Sequence, residues 1–244
     1  MRRIALASIS LLLCALVTVP AYADDSDDAR FAQHCPGFAT WKKAHPELSK
    51  KNRAKRIAAG DPTQPQLRQQ LLDMVKSDQA ARDAWTKVGL KTGQGGQVEL
   101  ERTLAVDAGN LKKLRPIIER QGFPTPAQVG MDGVDAAFLL VQHADADPAF
   151  QLQVLPQLEA LYKQGFVSGQ DVAMLTDRTL RAQGKPQRYG TQYISDDRHP
   201  EMKLQPVEDF AGLDARRASM GMPSLVDYAC VLSVAYNKPV RPEP

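Results

Sequence analysis

The chain has 244 residues, of which 43% are hydrophobic and 24% are charged, and its formal net charge is +3. This apolar content is enough for a folded core in one large domain or two small ones. A charge so close to zero does not indicate a nucleic-acid partner, and we predict none.

The N-terminus has the pattern of a secretory signal peptide. Arg2 and Arg3 form a basic start, residues 4–19 are an apolar segment that is short for a bilayer span, and residues 21–23 read A-Y-A, a cleavage pattern. We therefore predict that residues 1–23 are a signal peptide and that the mature chain begins at Asp24. The protein is then periplasmic or secreted.

Cleavage leaves Cys35 and Cys230 near opposite ends of a chain bound for an oxidising compartment. We predict a disulfide between them, and two separate thiols are the alternative.

Lipidation of Cys14 is the alternative to cleavage after residue 23. The bulky residues 11–13 before Cys14 disfavour it, because a lipidation site has small residues there.

Residues 24–63 are predicted to form a basic N-terminal arm before the main domain. The segment 41–56 has seven Lys or Arg residues against one Glu. Such a segment could make a weak contact with an anionic surface such as lipid headgroups. A solvated basic face is the favoured alternative.

The fold class predicted for residues 64–240 is all-α, a compact multi-helix domain with a small β-hairpin near residues 187–207. Amphipathic periodicity, caps and breakers define the elements. In chain order they are helices over 65–88, 98–108 and 110–121 with Asn110 as the cap of the third, a turn over 123–130, helices over 133–144, 148–165 and 168–184, a hairpin over 187–207, and two closing helices from 212 and 224.

The first helix places two charged residues on its apolar stripe. Asp78 and Arg82 align with Leu71, Val75 and Trp85 at 3.6 residues per turn, and they are four residues apart. Burying a charged side chain without a partner costs on the order of several kcal/mol of folding free energy. The two residues therefore either form a structural ion pair or line a cavity that holds a polar group.

The helix over 133–144 is apolar on most sides but ends in QHAD (142–145). His143 follows Leu139 and Asp145 follows Val141 by four residues, so each continues an apolar line. A histidine at a helix end is commonly structural, or interacts with the helix dipole. Asp147 needs no functional explanation, because it can cap the next helix.

Five motifs occur in an order that resembles an uncharacterised bacterial family, catalogued only as a domain of unknown function. They are DQAAR (78–82), DAGN (107–110), QHAD (142–145), DR (177–178) and PQRYGTQ (186–192), and they span roughly residues 65–227. Their combination is specific. The resemblance implies no known reaction, but it implies that these polar residues belong to one pattern, and we infer that they converge in space. The positions carried over are Asp78, Gln79, Arg82, Asp107, Asn110, Gln142, His143, Asp145, Asp177, Arg178, Gln187, Tyr189, Gly190, Thr191 and Gln192.

The favoured hypothesis is a polar pocket for a small or peptide-like ligand, with hydrolysis or group transfer as its chemistry. His143 would act as general acid or base, oriented by Asp145 or another carboxylate, and an arginine would hold an anionic group. The predicted catalytic residues are His143, Asp145, Asp78 and Arg82. The predicted ligand-binding residues are Gln79, Asn110, Gln142, Arg178, Gln187, Tyr189 and Gln192.

Several alternatives stay open. A metal would use His143 with Asp145 and a carboxylate such as Asp78 or Asp107, but H-x-D is a poor metal signature, and we predict neither a metal nor a cofactor. A second class is a non-catalytic periplasmic protein that binds a partner, as immunity proteins or inhibitors do. A third is a buried network with a purely structural role.

Overall fold

The computed structural model describes residues 25–49, 60–92, 96–194 and 201–243, and within them not the side chains of residues 25–28 and 89–92. The predicted signal peptide lies outside the described residues, as do residues 50–56 of the basic segment. No helix within the described ranges combines the length and the apolar character needed to cross a bilayer.

The predicted all-α fold class is confirmed. The described residues form nine α-helices and a small three-stranded sheet. The helices are α1 (Asp25–His34), α2 (Pro36–Ala44), α3 (Pro65–Thr92), α4 (Gln97–Gln121), α5 (Pro126–Gln142), α6 (Pro148–Lys163), α7 (Gly169–Ala182), α8 (Leu213–Ser219) and α9 (Leu225–Tyr236). The strands are β1 (Tyr193–Ile194), β2 (Met202–Leu204) and β3 (Val240–Arg241).

The long helices α3 to α7 enclose the larger hydrophobic core. Helix α3 packs against α4 and α5, and α6 packs against α7. The apolar stripe of α3 points into this core, where Leu71 is buried with Leu114 of α4, Phe138 of α5 and Leu158 of α6. Burial of each such side chain stabilises the fold by about 2 kcal/mol.

A smaller core is built from both ends of the chain. Helices α1 and α2 pack against α9, and Phe31, Tyr193, Leu213 and Leu232 are buried there. Within the predicted arm, residues 25–44 thus form helices that dock on the C-terminal end of the domain.

The predicted disulfide is confirmed. Cys35 and Cys230 are bonded, with their Cα atoms 5.8 Å apart and a separation of 195 positions in sequence. The bond joins the start of α2 to the middle of α9, and Cys35 is buried in the smaller core.

The predicted hairpin is present in a shorter form. Strand β1 pairs antiparallel with β2, Tyr193 opposite Leu204. Tyr189 and Thr191, which fall within the predicted hairpin, lie instead in a loop before β1. The sequence did not predict β3, which pairs parallel with β2 and brings the chain's C-terminal end to the sheet.

The predicted break between two helices at Asn110 is wrong, because α4 continues through it. Asn110 is buried and turns its side chain toward α3, where Nδ2 lies 3.4 Å from the carbonyl oxygen of Met74. A side chain used in this way cannot cap its own helix. Pro116 also lies inside α4 and does not end it.

The turn predicted over 123–130 is confined to residues 123–125, and α5 begins directly after it at Pro126. Thr125 caps the helix in a reciprocal capping box with Gln128. The helix is interrupted at Gly130, whose φ of 71° and ψ of 170° are open to glycine. The apolar part of α5 follows this interruption and ends at Gln142, so that His143 is its C-terminal cap residue.

Candidate functional site

A buried aspartate and histidine join α3 to the end of α5. The side chains of Asp78 and His143 are 0% and 3% exposed. Nδ1 of His143 lies 2.9 Å from Oδ1 and 3.0 Å from Oδ2 of Asp78. The packing of α3 against α5 creates this contact between residues that are 65 positions apart in sequence.

Arg82 connects this pair to a second carboxylate. Its Nε lies 3.3 Å from Oδ2 of Asp78, and its Nη2 donates to both oxygens of Asp107 on α4, each at 2.8 Å. The side chains of Arg82 and Asp107 are 19% and 15% exposed, so this side of the network reaches solvent. We call Asp78, Arg82, Asp107 and His143 the Asp78 cluster, and Gln79 adds a hydrogen bond of 2.7 Å to Asp78.

The contacts of Nδ1 determine which nitrogen of His143 carries the proton. Nε of Arg82 lies 3.1 Å from Nδ1 and always bears a hydrogen, so its contact with Nδ1 requires that Nδ1 accepts. The Asp78 carboxylate can only accept, so its contact requires that Nδ1 donates. The carboxylate makes the closer contacts and is ionised, which favours a proton on Nδ1 that is donated to Asp78. Nε2 then carries a lone pair, and this buried atom has no hydrogen-bond partner among the described residues.

The cluster separates the pKa values of its two carboxyl groups. Burial alone would raise the pKa of Asp78, but the hydrogen bond and charge of His143 and the charge of Arg82 lower it to about 2. Burial raises the pKa of Asp107 to about 7, against the charge of Arg82 and aided by the charge of Asp78. Burial also lowers the pKa of His143, so the imidazole is neutral at pH 7.

Three groups of this cluster have the spacing of metal ligands. One ligand atom from each of Asp78, Asp107 and His143 lies within 4.8 Å of the other two. Two carboxylates and an imidazole suit zinc, iron or manganese. The guanidinium of Arg82, however, contacts all three groups and already supplies a positive charge there.

A groove of about 730 Å³ lies between α3 and α4, and none of the four residues of the Asp78 cluster lines it. Met74 and Asn110 both line it. Met74 precedes Asp78 by four residues on α3, and Asn110 follows Asp107 by three on α4, which places the groove one helical turn from the cluster.

Asp145 binds Arg178 rather than His143. Nη1 of Arg178 on α7 lies 2.6 and 2.8 Å from the two carboxylate oxygens of Asp145. Gln151 of α6 joins them, with Nε2 3.2 Å from Oδ1 of Asp145 and 3.1 Å from the carbonyl oxygen of Gln142. Among the described residues, Nε and Nη2 of Arg178 and both amide atoms of Gln142 are buried without a partner.

Asp177 organises the loop of the PQRYGTQ motif (186–192). Its buried carboxylate accepts hydrogen bonds from the backbone N–H groups of Arg188, Tyr189 and Thr191 and from the Thr191 hydroxyl, at 2.7 to 2.9 Å. Gln187 crosses the same loop, since its amide donates to the carbonyl oxygen of Gln192 and accepts from the backbone N–H of Gln192.

The predicted site residues therefore fall into neighbouring groups. Asp78, Gln79, Arg82 and His143 meet in one network, and Gln142, Asp145 and Arg178 lie in the adjoining one. Asn110 lies in the groove. Gln187, Tyr189 and Gln192 belong to the loop that Asp177 holds, and among the described residues no hydrogen bond joins them to His143.

Gln151 and Arg217 are among the buried polar residues that were not singled out from the sequence. Gln151 is 1% exposed and Arg217 is 0% exposed. Arg217 of α8 donates to the carbonyl oxygens of Pro223 and Tyr189 and so braces the same loop. Both lie on apolar helix faces, Gln151 with Val154 and Arg217 with Leu213, which is the signal that identified Asp78.

The family comparison covers the part of the chain that carries these motifs. The model of the Family of unknown function (DUF6624) matches residues 65–241. The chain belongs to this family. The match covers α3 to β3 and thus contains the Asp78 cluster, the groove and the loop of the PQRYGTQ motif. Searches of curated proteins and of solved structures each find no match.

Proposed function

We propose that this family member is an exported acid–base enzyme, a hydrolase or group transferase, that acts on a small or peptide-like substrate at the Asp78 cluster. The observation that carries the proposal is the state of His143. Its Nδ1 lies 2.9 Å from Oδ1 of Asp78, while its buried Nε2 has no hydrogen-bond partner among the described residues.

This arrangement suits His143 as a general base. Asp78 fixes the tautomer and the ring orientation, and it stabilises the imidazolium that forms when Nε2 takes a proton from a water or hydroxyl nucleophile. The pKa of Asp78, about 2, keeps this carboxylate ionised at working pH.

Asp107 is suited to the acid step. Its pKa of about 7 allows it to hold a proton at neutral pH and to release it to a leaving group. Asp107, with its raised pKa, and His143, with its lowered pKa, are thus a pair of titratable groups suited to divided acid and base roles.

The positive groups and the groove support the substrate class. Arg82 is partly exposed and can exchange its contact with Asp107 for an anionic substrate group. The groove volume of about 730 Å³ lies within the range of ligand sites. Because Nε2 is buried, a substrate has to displace side chains to reach it.

Export belongs to the same proposal. The predicted signal peptide in residues 1–23 and the disulfide between Cys35 and Cys230 both favour an oxidising compartment. Intact mass of protein from the cell envelope should show a chain that begins at Asp24 without a lipid. A mature chain that begins at Cys14 would contradict cleavage at this position.

The enzymatic proposal is tested with three chromogenic substrates: 4-nitrophenyl acetate, 4-nitrophenyl phosphate and alanine 4-nitroanilide. We expect the parent to turn over at least one of them. Loss of a general base lowers the rate by about 100-fold or more, so His143→Ala should do so, and Asp78→Asn should lower it by at least about 10-fold. His45→Gln is the matched control, since His45 hydrogen-bonds the carbonyl of Trp41 outside the cluster.

Melting curves of the same variants separate the alternatives. A site residue should be replaceable with little loss of stability. Loss of a buried structural network would lower the unfolding free energy of His143→Ala by on the order of several kcal/mol. If this loss is observed and the parent hydrolyses none of the substrates, the structural network replaces the enzyme proposal. If His143→Ala keeps the stability of the parent and the parent still shows no turnover, the partner-binding alternative is favoured.

A further inference from the structure

The DAGN motif (107–110) contains a glycine that the fold itself does not require. Gly109 lies inside α4, and glycine disfavours helix interiors because it loses the most conformational freedom on folding. It is not among the described glycines with positive φ. A Cβ built at Gly109 meets no heavy atom of the described residues within 4 Å, leaving aside its chain neighbours and the nearby backbone of its own helix.

Other helical glycines show what a structural requirement looks like. A Cβ at Gly133 of α5 would lie 2.6 Å from the Cβ of Val129, and one at Gly169 of α7 would lie 2.1 Å from the carbonyl oxygen of Met220. Close packing excludes a side chain at both positions. At Gly109 neither packing among the described residues nor backbone geometry excludes one.

Gly109 is itself an exposed residue, and it lies at the edge of the groove between α3 and α4. Gly109 lines this groove with Met74 and Asn110. A glycine in such a place lets a ligand approach the helix backbone more closely than any side chain would allow. The groove also lies one turn from Asp107 and Asp78, where the proposed chemistry occurs.

We propose that the groove binds an extended peptide-like segment of the substrate, which lies against the backbone of α4 at Gly109 and directs the reacting group toward the Asp78 cluster. The inference rests on the proposed function for the position of the reacting group. The binding itself is independent of catalysis.

The groove lining matches a peptide chain. Gln66, Gln69 and Gln70 line the α3 side with amides that both donate and accept, as the alternating N–H and C=O groups of an extended peptide require. Val106 offers an apolar contact for a side chain, and none of the residues that line the groove is aromatic.

The charges of the groove point the same way. Asp73 lies on the α3 wall and Lys113 on the α4 wall, one of each sign. Their balance does not favour a strongly charged ligand. A neutral peptide backbone is thus a better match than a polyanion.

The test compares Gly109→Ala and Gly109→Trp with the matched control Ala108→Trp. Ala108 is an exposed residue of the same helix and is not among the residues that line the groove. Removing a helical glycine should raise the Tm of Gly109→Ala by about 2 °C, and Gly109→Trp should melt no lower than the parent. A Gly109→Ala variant that melts below the parent would overturn the inference, because the fold would then need the glycine.

Binding is measured as changes in the amide chemical shifts of the ¹⁵N-labelled full chain. The probes are a pool of acetylated, amidated hexapeptides with randomised sequence and, separately, chito-oligosaccharides. We expect the peptides to shift amides of α3 and α4. Gly109→Trp should weaken this binding at least about 10-fold, and Ala108→Trp should leave it unchanged.

The outcomes separate this inference from the proposed function. His143→Ala should keep the peptide-induced shifts and lose turnover, whereas Gly109→Trp should lose both. Peptide binding without turnover in the parent would overturn only the proposed function. Absence of peptide-induced shifts, equal binding by Gly109→Trp and the parent, or a response to the oligosaccharides alone would overturn the peptide groove.

Discussion

Removal of the Asp177 carboxylate should be among the most destabilising single changes in this domain. The carboxylate is fully buried and accepts four hydrogen bonds from the loop over 186–192, three of them from backbone N–H groups. In Asp177→Ala the three N–H groups lose their partner. A buried N–H left unpaired costs about 1–3 kcal/mol, and partial relaxation of the loop brings the expected total to roughly 3–5 kcal/mol.

The matched control is Asp171→Ala on the same helix. Asp171 forms a capping box with Ser168, accepting from its backbone N–H at 3.0 Å. Loss of such a cap costs about 1 kcal/mol. Urea unfolding followed by far-UV circular dichroism at pH 7 should therefore rank the parent first, Asp171→Ala next and Asp177→Ala well below both.

Two further measurements keep the argument testable if Asp177→Ala does not fold. Thr191→Val removes only the hydroxyl donor, at 2.9 Å from Asp177, and should cost about 1 kcal/mol. In Asp177→Asn, hydrogen exchange should accelerate at the amides of Arg188, Tyr189 and Thr191 before other amides. If the unfolding free energies of Asp177→Ala and Asp171→Ala differ by less than about 1 kcal/mol, the reasoning is refuted. The N–H groups of the loop would then have found other hydrogen-bond partners.

Three other predictions follow from single contacts. Cys35→Ser opens a link that spans 195 residues and should destabilise the protein by up to about 5 kcal/mol on the chain-entropy model; unchanged urea midpoints would contradict it. Asp147→Ala removes the cap on the Phe150 N–H and the ion pair with Arg115, so it should cost about 1 kcal/mol in thermal melts and leave turnover and peptide binding intact. Asp107 has a folded-state pKa of about 7 against an ordinary 3.8, so its stabilising contribution is complete below pH 3.8 and is lost as the pH rises to 7. Asp107→Asn should therefore gain stability relative to the parent between pH 4.5 and pH 7.5, and a constant difference in urea unfolding would argue against the raised pKa.

Several features of this protein could be predicted because their causes are local. The amphipathic stripe of α3, the Asp147 and Ser168 caps and the Ser224 cap of α9 depend on residues a few positions apart. The all-α fold class follows from such signals. Local signals were misleading at Asn110, which has the residue type of a helix cap. Its side chain instead donates to the backbone carbonyl of Met74 on the neighbouring helix α3.

Part of the site was also accessible from the pattern alone. A charged residue on an apolar stripe must find a partner, and this argument identified Asp78, Arg82 and His143 before any contact was known. It did not identify which carboxylate meets the histidine. The pairing of His143 with Asp78, and of Asp145 with Arg178, depends on how α3 and α7 pack on the end of α5.

The sequence by itself thus determined the helices, the caps and the presence of polar groups within the apolar faces, since each depends on short-range periodicity. Only the tertiary structure decided which of these groups share a proton and which face the groove. The raised pKa of Asp107 requires burial beside Asp78, a residue 29 positions earlier on another helix. Gly109 likewise lines a groove only because α3 packs beside α4. Interactions of this kind depend on distances between packed elements, and no spacing within one element encodes them.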